Sequence, residues 1–163
     1  MRFAKYVALI ILLFTSGCAG IGHFLRTPDE KYPSKIHSLG MWVYNMSGKE
    51  FTESDWETRL YIIEGAFVTL KNCIYLHDAK VEEQMRSIGI IILPSQKIEF
   101  FGKEHIAYTN LKNIFMRSDR FDMANLRHEW IHIYLWAANK RFFGDPFHRD
   151  KLFNECVYIK NDQ

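Results

Sequence analysis

The chain has little of what builds small irregular folds: three cysteines and four prolines in 163 residues. So few cysteines cannot form the disulfide framework that holds coreless secreted domains together. None has the close cysteine partner that a zinc knuckle needs. Internal repeats and low-complexity segments are missing, which excludes a solenoid or array. Long apolar runs are scarce. The run Tyr6 to Phe14 stops well short of the ~20 residues that cross a bilayer. Charge of one sign is not in excess either, with 21 basic and 19 acidic side chains. Aromatic residues, by contrast, make up 15% of the chain, which favours a packed core over disorder.

The first residues, Met1-Arg2-Phe3-Ala4-Lys5, form a short basic start, and Tyr6 to Phe14 has the length of a secretory signal core. Small residues follow, Thr15-Ser16-Gly17-Cys18. This resembles the lipobox of bacterial lipoproteins, with Thr15 where Leu is usual. The resemblance implies a signal peptide over residues 1–17, lipidation of Cys18 and anchoring to a membrane through acyl chains. Ala19 stands where Asp would signal inner-membrane retention, so it leans toward the outer membrane. The expected location is the cell envelope: cell membrane or outer membrane, facing periplasm or exterior. An ordinary cleaved signal ahead of a free cysteine is the alternative.

Cleavage would leave 146 residues, enough for one domain with a real core. It would also remove Arg2 and Lys5, leaving 19 basic and 19 acidic side chains. That balance implies no nucleic-acid partner. Residues 18–38 hold Gly20, Gly22, Pro28 and Pro33 and read as a tether, with His23 and His37 solvent-exposed on it. The domain would then span 39–163. Cys73 and Cys156 are an even pair in an oxidising location. A bond between them would close a loop of about 80 residues and contribute roughly 3–4 kcal/mol. Two free buried thiols are the other reading.

Met41 to Met46 reads as a strand and Gly48 as a turn. Ser54, with Glu57 three residues on, predicts the start of a helix reaching Asn72. Trp56, Leu60, Ile63, Phe67 and Leu70 form its apolar face, broadened by Tyr61, Ile62 and Val68. Cys73 to Leu76 reads as a short strand, Gly89 to Leu93 as a central one, and Lys97 to Phe101, His105 to Thr109 and Asn113 to Met116 as further strands. A second helix is expected from Asp122, or from a cap at Asp119, to about Asn139. A short third one is expected from His148 to Val157, after a Gly144-Asp145-Pro146 turn.

The second helix contains His128-Glu129-Trp130-Ile131-His132. Residues four apart lie one turn above each other on one helix face. Two imidazoles so placed can hold one Zn²⁺. Glu129 lies about 100° round the helix and need not be a ligand. It can serve as general base toward a water. Neither Pro nor Gly interrupts the segment, and apolar residues flank the motif as in a helix at a domain centre.

The order of strand, helix, several strands and a helix bearing His-Glu-x-x-His resembles the zincin metallopeptidases. The resemblance covers roughly residues 40–157, but its specific identity rests on five residues. It implies an α+β single domain in which a backing helix and a twisted mixed sheet support the active-site helix. It implies His128 and His132 as zinc ligands and Glu129 as catalytic base. Leu135 and Ala138 stand where the metzincin pattern needs Gly and His, which excludes that subclass. Asn154-Glu155 resembles the gluzincin pair, at a spacing slightly long for it. His148, in Gly-Asp-Pro-Phe-His-Arg-Asp, is the preferred third ligand, with Glu155 as the alternative. Asp145 and Asp150 are further candidates, more in keeping with orienting a ligand imidazole.

His105 lies near where zincins add an extended substrate to an edge strand. Its bland reading is a surface strand histidine. Tyr108, Tyr134 and Tyr158 could donate to an oxyanion, or simply pack. His77 reads as a loop residue. The function expected is a membrane-anchored zinc metallopeptidase, a hydrolase acting on a peptide or protein. The alternative is a non-catalytic envelope lipoprotein that uses a zincin-like scaffold for binding or assembly.

Overall fold

The computed structural model describes residues 32–37, 39–96, 98–100 and 103–159. The expected signal peptide, Cys18, His23 and most of the expected tether lie outside these residues, as do Lys97, Phe101 and Gly102. The fold is mixed α+β. Strands β1 (Ser34–Ile36), β2 (Trp42–Asn45), β3 (Gly89–Leu93), β6 (Ala107–Thr109) and β7 (Asn113–Arg117) form one sheet in the order β1-β2-β3-β7-β6. β2, β3 and β7 are parallel, and the two edge strands run antiparallel to their neighbours. β4 (Ile98–Phe100) and β5 (Lys103–His105) make a separate hairpin.

The aliphatic run of β3 explains its central place, because a parallel strand buried on both faces needs apolar residues at every position. Ile90 and Ile92 join Val43, Ile114 and Met116 in the main core. Ile91 and Leu93 point the other way and pack with Phe115, Tyr44, Met46 and Tyr108. The alternation is the period-2 geometry of the strand.

Helix α1 (Glu53–Cys73) follows β2. Its cap is Thr52, not Ser54: the Thr52 hydroxyl accepts from the Asp55 N–H and the Asp55 carboxylate accepts from the Thr52 N–H. A short carboxylate three residues after the cap closes the box as well as Glu57 would have from Ser54. Trp56, Ile63, Ala66, Phe67 and Leu70 are buried, whereas Tyr61 and Val68 face solvent, so the apolar stripe is narrower than expected.

The expected strand at Cys73 to Leu76 is instead the end of α1 and a turn. The Leu76 N–H reaches back to the Lys71 carbonyl, and Tyr75 takes φ 51. α2 (Ala79–Arg86), capped by Asp78, was not legible in the sequence. Apart from an exposed Ala79 it is polar except for Val81 and Met85, which turn one short stripe to the core.

Helix α3 (Met123–Ala137) starts at Asp122, whose carboxylate accepts from the Asn125 N–H at 2.8 Å. It packs on α1, with Phe67 and Trp130 edge to face at 5.3 Å, and β6 lies against it. α4 (Leu152–Glu155) is shorter than expected, and His148 precedes it. A Cys73–Cys156 disulfide ties this last segment to the end of α1 across 83 residues. Closing a loop of that length contributes about 4.5 kcal/mol on chain entropy.

The folded part begins earlier than position 39, since β1 pairs with β2. His37 is therefore no exposed tether residue. It is buried, its Nε2 lies 2.9 Å from the Leu60 carbonyl, and its Nδ1 accepts from the Leu39 N–H. Among the described residues no helix is long and apolar enough to cross a membrane.

Candidate metal centre

α3 presents His128 and His132 one turn apart, as i, i+4 spacing requires. A 3₁₀ turn, Phe142–Gly144, then reverses the chain and brings His148 to them. The His148 Nε2 lies 3.1 Å from the His128 Nε2 and 3.1 Å from the His132 Nε2. Ligand atoms of all three lie within 4.8 Å of one another. A tetrahedral ion with Zn–N bonds of 2.0–2.1 Å would space its nitrogens by about 3.3 Å. The three imidazoles thus fit one small divalent ion by donor type and by spacing.

The tautomer of His132 is set by its other nitrogen. Nδ1 donates to the Gly144 carbonyl at 2.6 Å, so Nε2 presents a lone pair to the cluster. Burial pushes His128 down to about 4, with the neighbouring histidines adding to the effect. Burial also pushes His132 down to about 4, opposed by the bond to Gly144. Both rings are then neutral at pH 7, the form that binds metal.

Glu129 is buried, at 5% exposure, and burial pushes its carboxyl up to about 8. Positive charge at the three nitrogens would favour its ionised form.

The loop is held by two devices. Gly144 takes φ 67 and packs on α3 so closely that a Cβ would lie 2.2 Å from the His132 carbonyl oxygen. Asp145 is buried and accepts from the Asp150 N–H at 2.6 Å. Neither carboxylate orients an imidazole by a hydrogen bond as expected, because the Gly144 carbonyl fills that role. Asp145 braces the turn, and Asp150 accepts from the Leu152 N–H at 3.1 Å and faces Arg141 at 3.5 Å.

Glu155 does not join the cluster. It is exposed and pairs with Lys151 at 3.3 Å. His105 ends β5 opposite Ile98, and His77 is an exposed loop residue. Tyr108 stacks on Phe115 at 4.6 Å, on the sheet face away from the main core. Tyr134 accepts from Lys140, and Tyr158 is exposed.

Two contributors escaped the sequence reading. The buried ring of Phe153 sits 5.1, 4.7 and 4.6 Å from the rings of His128, His132 and His148. Arg127 is buried and donates through Nε and Nη2 to the Val157 carbonyl, at 2.9 and 2.6 Å. The available signal was a charged residue set inside an apolar helix, one position before the motif. Compared with known protein families, with curated proteins and with solved structures, the chain finds no match.

Proposed function

We propose that this protein is a zinc-dependent metallopeptidase of zincin type, held on the cell envelope by a lipid on Cys18. The observation that carries the reading is the convergence of three imidazoles, His128, His132 and His148, beside a buried carboxyl, Glu129, on the same helix as the first two. α1 packed behind α3, and an antiparallel edge strand β6 beside it, support the zincin likeness.

When bound, Zn²⁺ supplies a Lewis acid that polarises a carbonyl and makes water more acidic. The chain's own residues do the rest. The Gly144 carbonyl holds the proton on the His132 Nδ1 and so keeps its Nε2 free to coordinate. Glu129 takes a proton from the attacking water and returns it to the leaving amine. Phe153 covers one side of the three rings and limits water there. The substrate is a peptide or protein close to the membrane surface.

One observation favours the other reading, a scaffold for binding or assembly: Glu129 is nearly closed to solvent. The Glu129→Gln variant separates the two. Under the peptidase reading it keeps zinc, measured by metal content, and loses cleavage of a peptide library by about 10²–10⁴-fold. Absence of zinc-dependent cleavage by the wild type defeats that reading.

A further inference from the structure

The loop between α3 and α4 carries a feature that the metal site does not use. Phe142, Phe143 and Phe147 are 84%, 61% and 74% exposed. Single exposed rings are ordinary, but one short loop here presents three within six positions. The backbone holds this segment in an unusual path. Phe143, Asp145 and His148 take φ 48, 60 and 53, in the left-handed region that side chains disfavour.

The base of the turn is fixed to α3 through Gly144 and braced through Asp145, while the rings stand in solvent. Phe142 and Phe143 touch edge to face at 4.3 Å, and the Arg149 guanidinium lies 5.2 Å from the Phe147 ring centre. Lys140, Arg141, Arg149 and Lys151 are all exposed around them. The acids here are engaged, Asp145 in the buried brace, Asp150 with Arg141 and Glu155 with Lys151, which leaves Lys140 and Arg149 without a carboxylate partner among the described residues.

We propose that this loop docks the domain on an anionic bilayer surface, its phenylalanines entering the headgroup layer and its cations facing lipid phosphates, Arg149 and Lys140 foremost because Arg141 and Lys151 are already paired with Asp150 and Glu155. Aromatic rings flanked by Lys and Arg match the chemistry of that interface. Chain length permits it under the lipid-anchor reading. The 14 residues from Cys18 to Tyr32 reach at most ~50 Å. A domain of this size is roughly 35 Å across. His148 belongs to the loop, so docking turns the three-histidine cluster toward the membrane. A membrane-surface peptide as substrate follows from this only if the hydrolase reading holds; the docking stands apart from it.

The test uses the lipid-anchored chain, whose Cys18 thiol is blocked by the lipid, with one added cysteine carrying a nitrobenzoxadiazole fluorophore. The label sits at Phe142→Cys or, as control, at Tyr61→Cys on the exposed side of α1. Both proteins are reconstituted in vesicles whose acyl chains bear a nitroxide quencher. On phosphatidylcholine with phosphatidylglycerol, the label at 142 is quenched about threefold more than the label at 61, and on phosphatidylcholine alone the excess disappears. Arg149→Gln with Lys140→Gln reduces the excess by about half.

Equal quenching at both positions on anionic vesicles overturns the proposal, as does full quenching on neutral ones. A label at 142 that is shielded without quenching, in step with protein concentration, assigns the loop to a second copy of the chain and also overturns it. Zinc content, read on the same samples, reports separately on the metal site.

Discussion

His128 and His132 stand on α3, where every residue from Met123 to Ala137 is helical. His148 stands on a loop whose path runs through left-handed backbone at Asn139, Phe143, Asp145 and His148 itself. One region places its ligands by the period of a helix, and the other by fit against its neighbours. The helix pair needs only backbone hydrogen bonds and a buried apolar surround. The loop ligand needs Gly144 against the His132 carbonyl, Asp145 under the Asp150 N–H, and Phe153 beneath the rings. Damage to the two regions should therefore differ in kind.

The sharpest break is at the helix. His132→Ala is expected to weaken zinc binding by more than ~100-fold, the upper range for changes outside the ligand set, because it removes a ligand. Far-ultraviolet circular dichroism should change little, since Ala favours helix. Wild-type zinc content in this variant would end the site assignment.

On the loop side, Gly144→Ala should destabilise the chain by about 2–3 kcal/mol or more, because φ 67 is strained for Ala and the added methyl meets α3 backbone. Zinc affinity should fall with it, through displacement of His148. Urea denaturation and zinc titration check the two effects. A stable variant with normal affinity would show that the loop adapts as freely as a surface loop.

The metal-free chain gives a third comparison, by pH. Glu129 titrates near 4.5 unfolded and about 8 folded. The unfolded chain therefore loses its proton first, and this group lowers stability as pH rises from about 4.5 to 8. His128 and His132 act in reverse, since each drops from 6.5 to about 4, so their burial lowers stability as pH falls through that window. In chelator, Glu129→Gln should gain on the order of 4 kcal/mol at pH 8 and almost nothing at pH 4. Denaturation midpoints at the two pH values measure it. A gain independent of pH would mean that packing, not ionisation, separates the two side chains.

The same contrast explains what the sequence made legible. The spacing of His128 and His132, the all-aliphatic β3 and the apolar face of α1 are local patterns, and each led to the right element. α2 was missed because Val81 and Met85 are too few to set a period. His37 reads as exposed in the sequence because its bonds to Leu39 and Met41 form only a local turn, while the Leu60 carbonyl on α1 that its ring reaches lies 23 residues away. His148 was reached through a turn signal and a resemblance, since no periodicity leads to it. Phe153 left no local trace, and Arg127 only that of a charge set inside an apolar helix, because their roles exist only once the chain end returns to α3.

That return supplies the smallest expected effect. The chain end is held at two points, by the Cys73–Cys156 disulfide and by the two bonds from Arg127 to the Val157 carbonyl. Between α3 and these anchors lies Phe153, against all three imidazoles. Arg127→Lys keeps the charge but replaces a planar fork with a single ammonium, which cannot make both bonds in the same geometry. With the disulfide intact the segment stays attached, so stability should fall by only about 1.5 kcal/mol, the lower end for a hydrogen bond from a charged group. Zinc affinity should fall a few-fold, because the wall behind the rings loosens while the three ligands remain. Reducing the disulfide in this variant should enlarge both losses beyond their sum, since each anchor then lacks the other. Strict additivity would show that the chain end is no part of what positions the site, and that α3 with its following loop is sufficient.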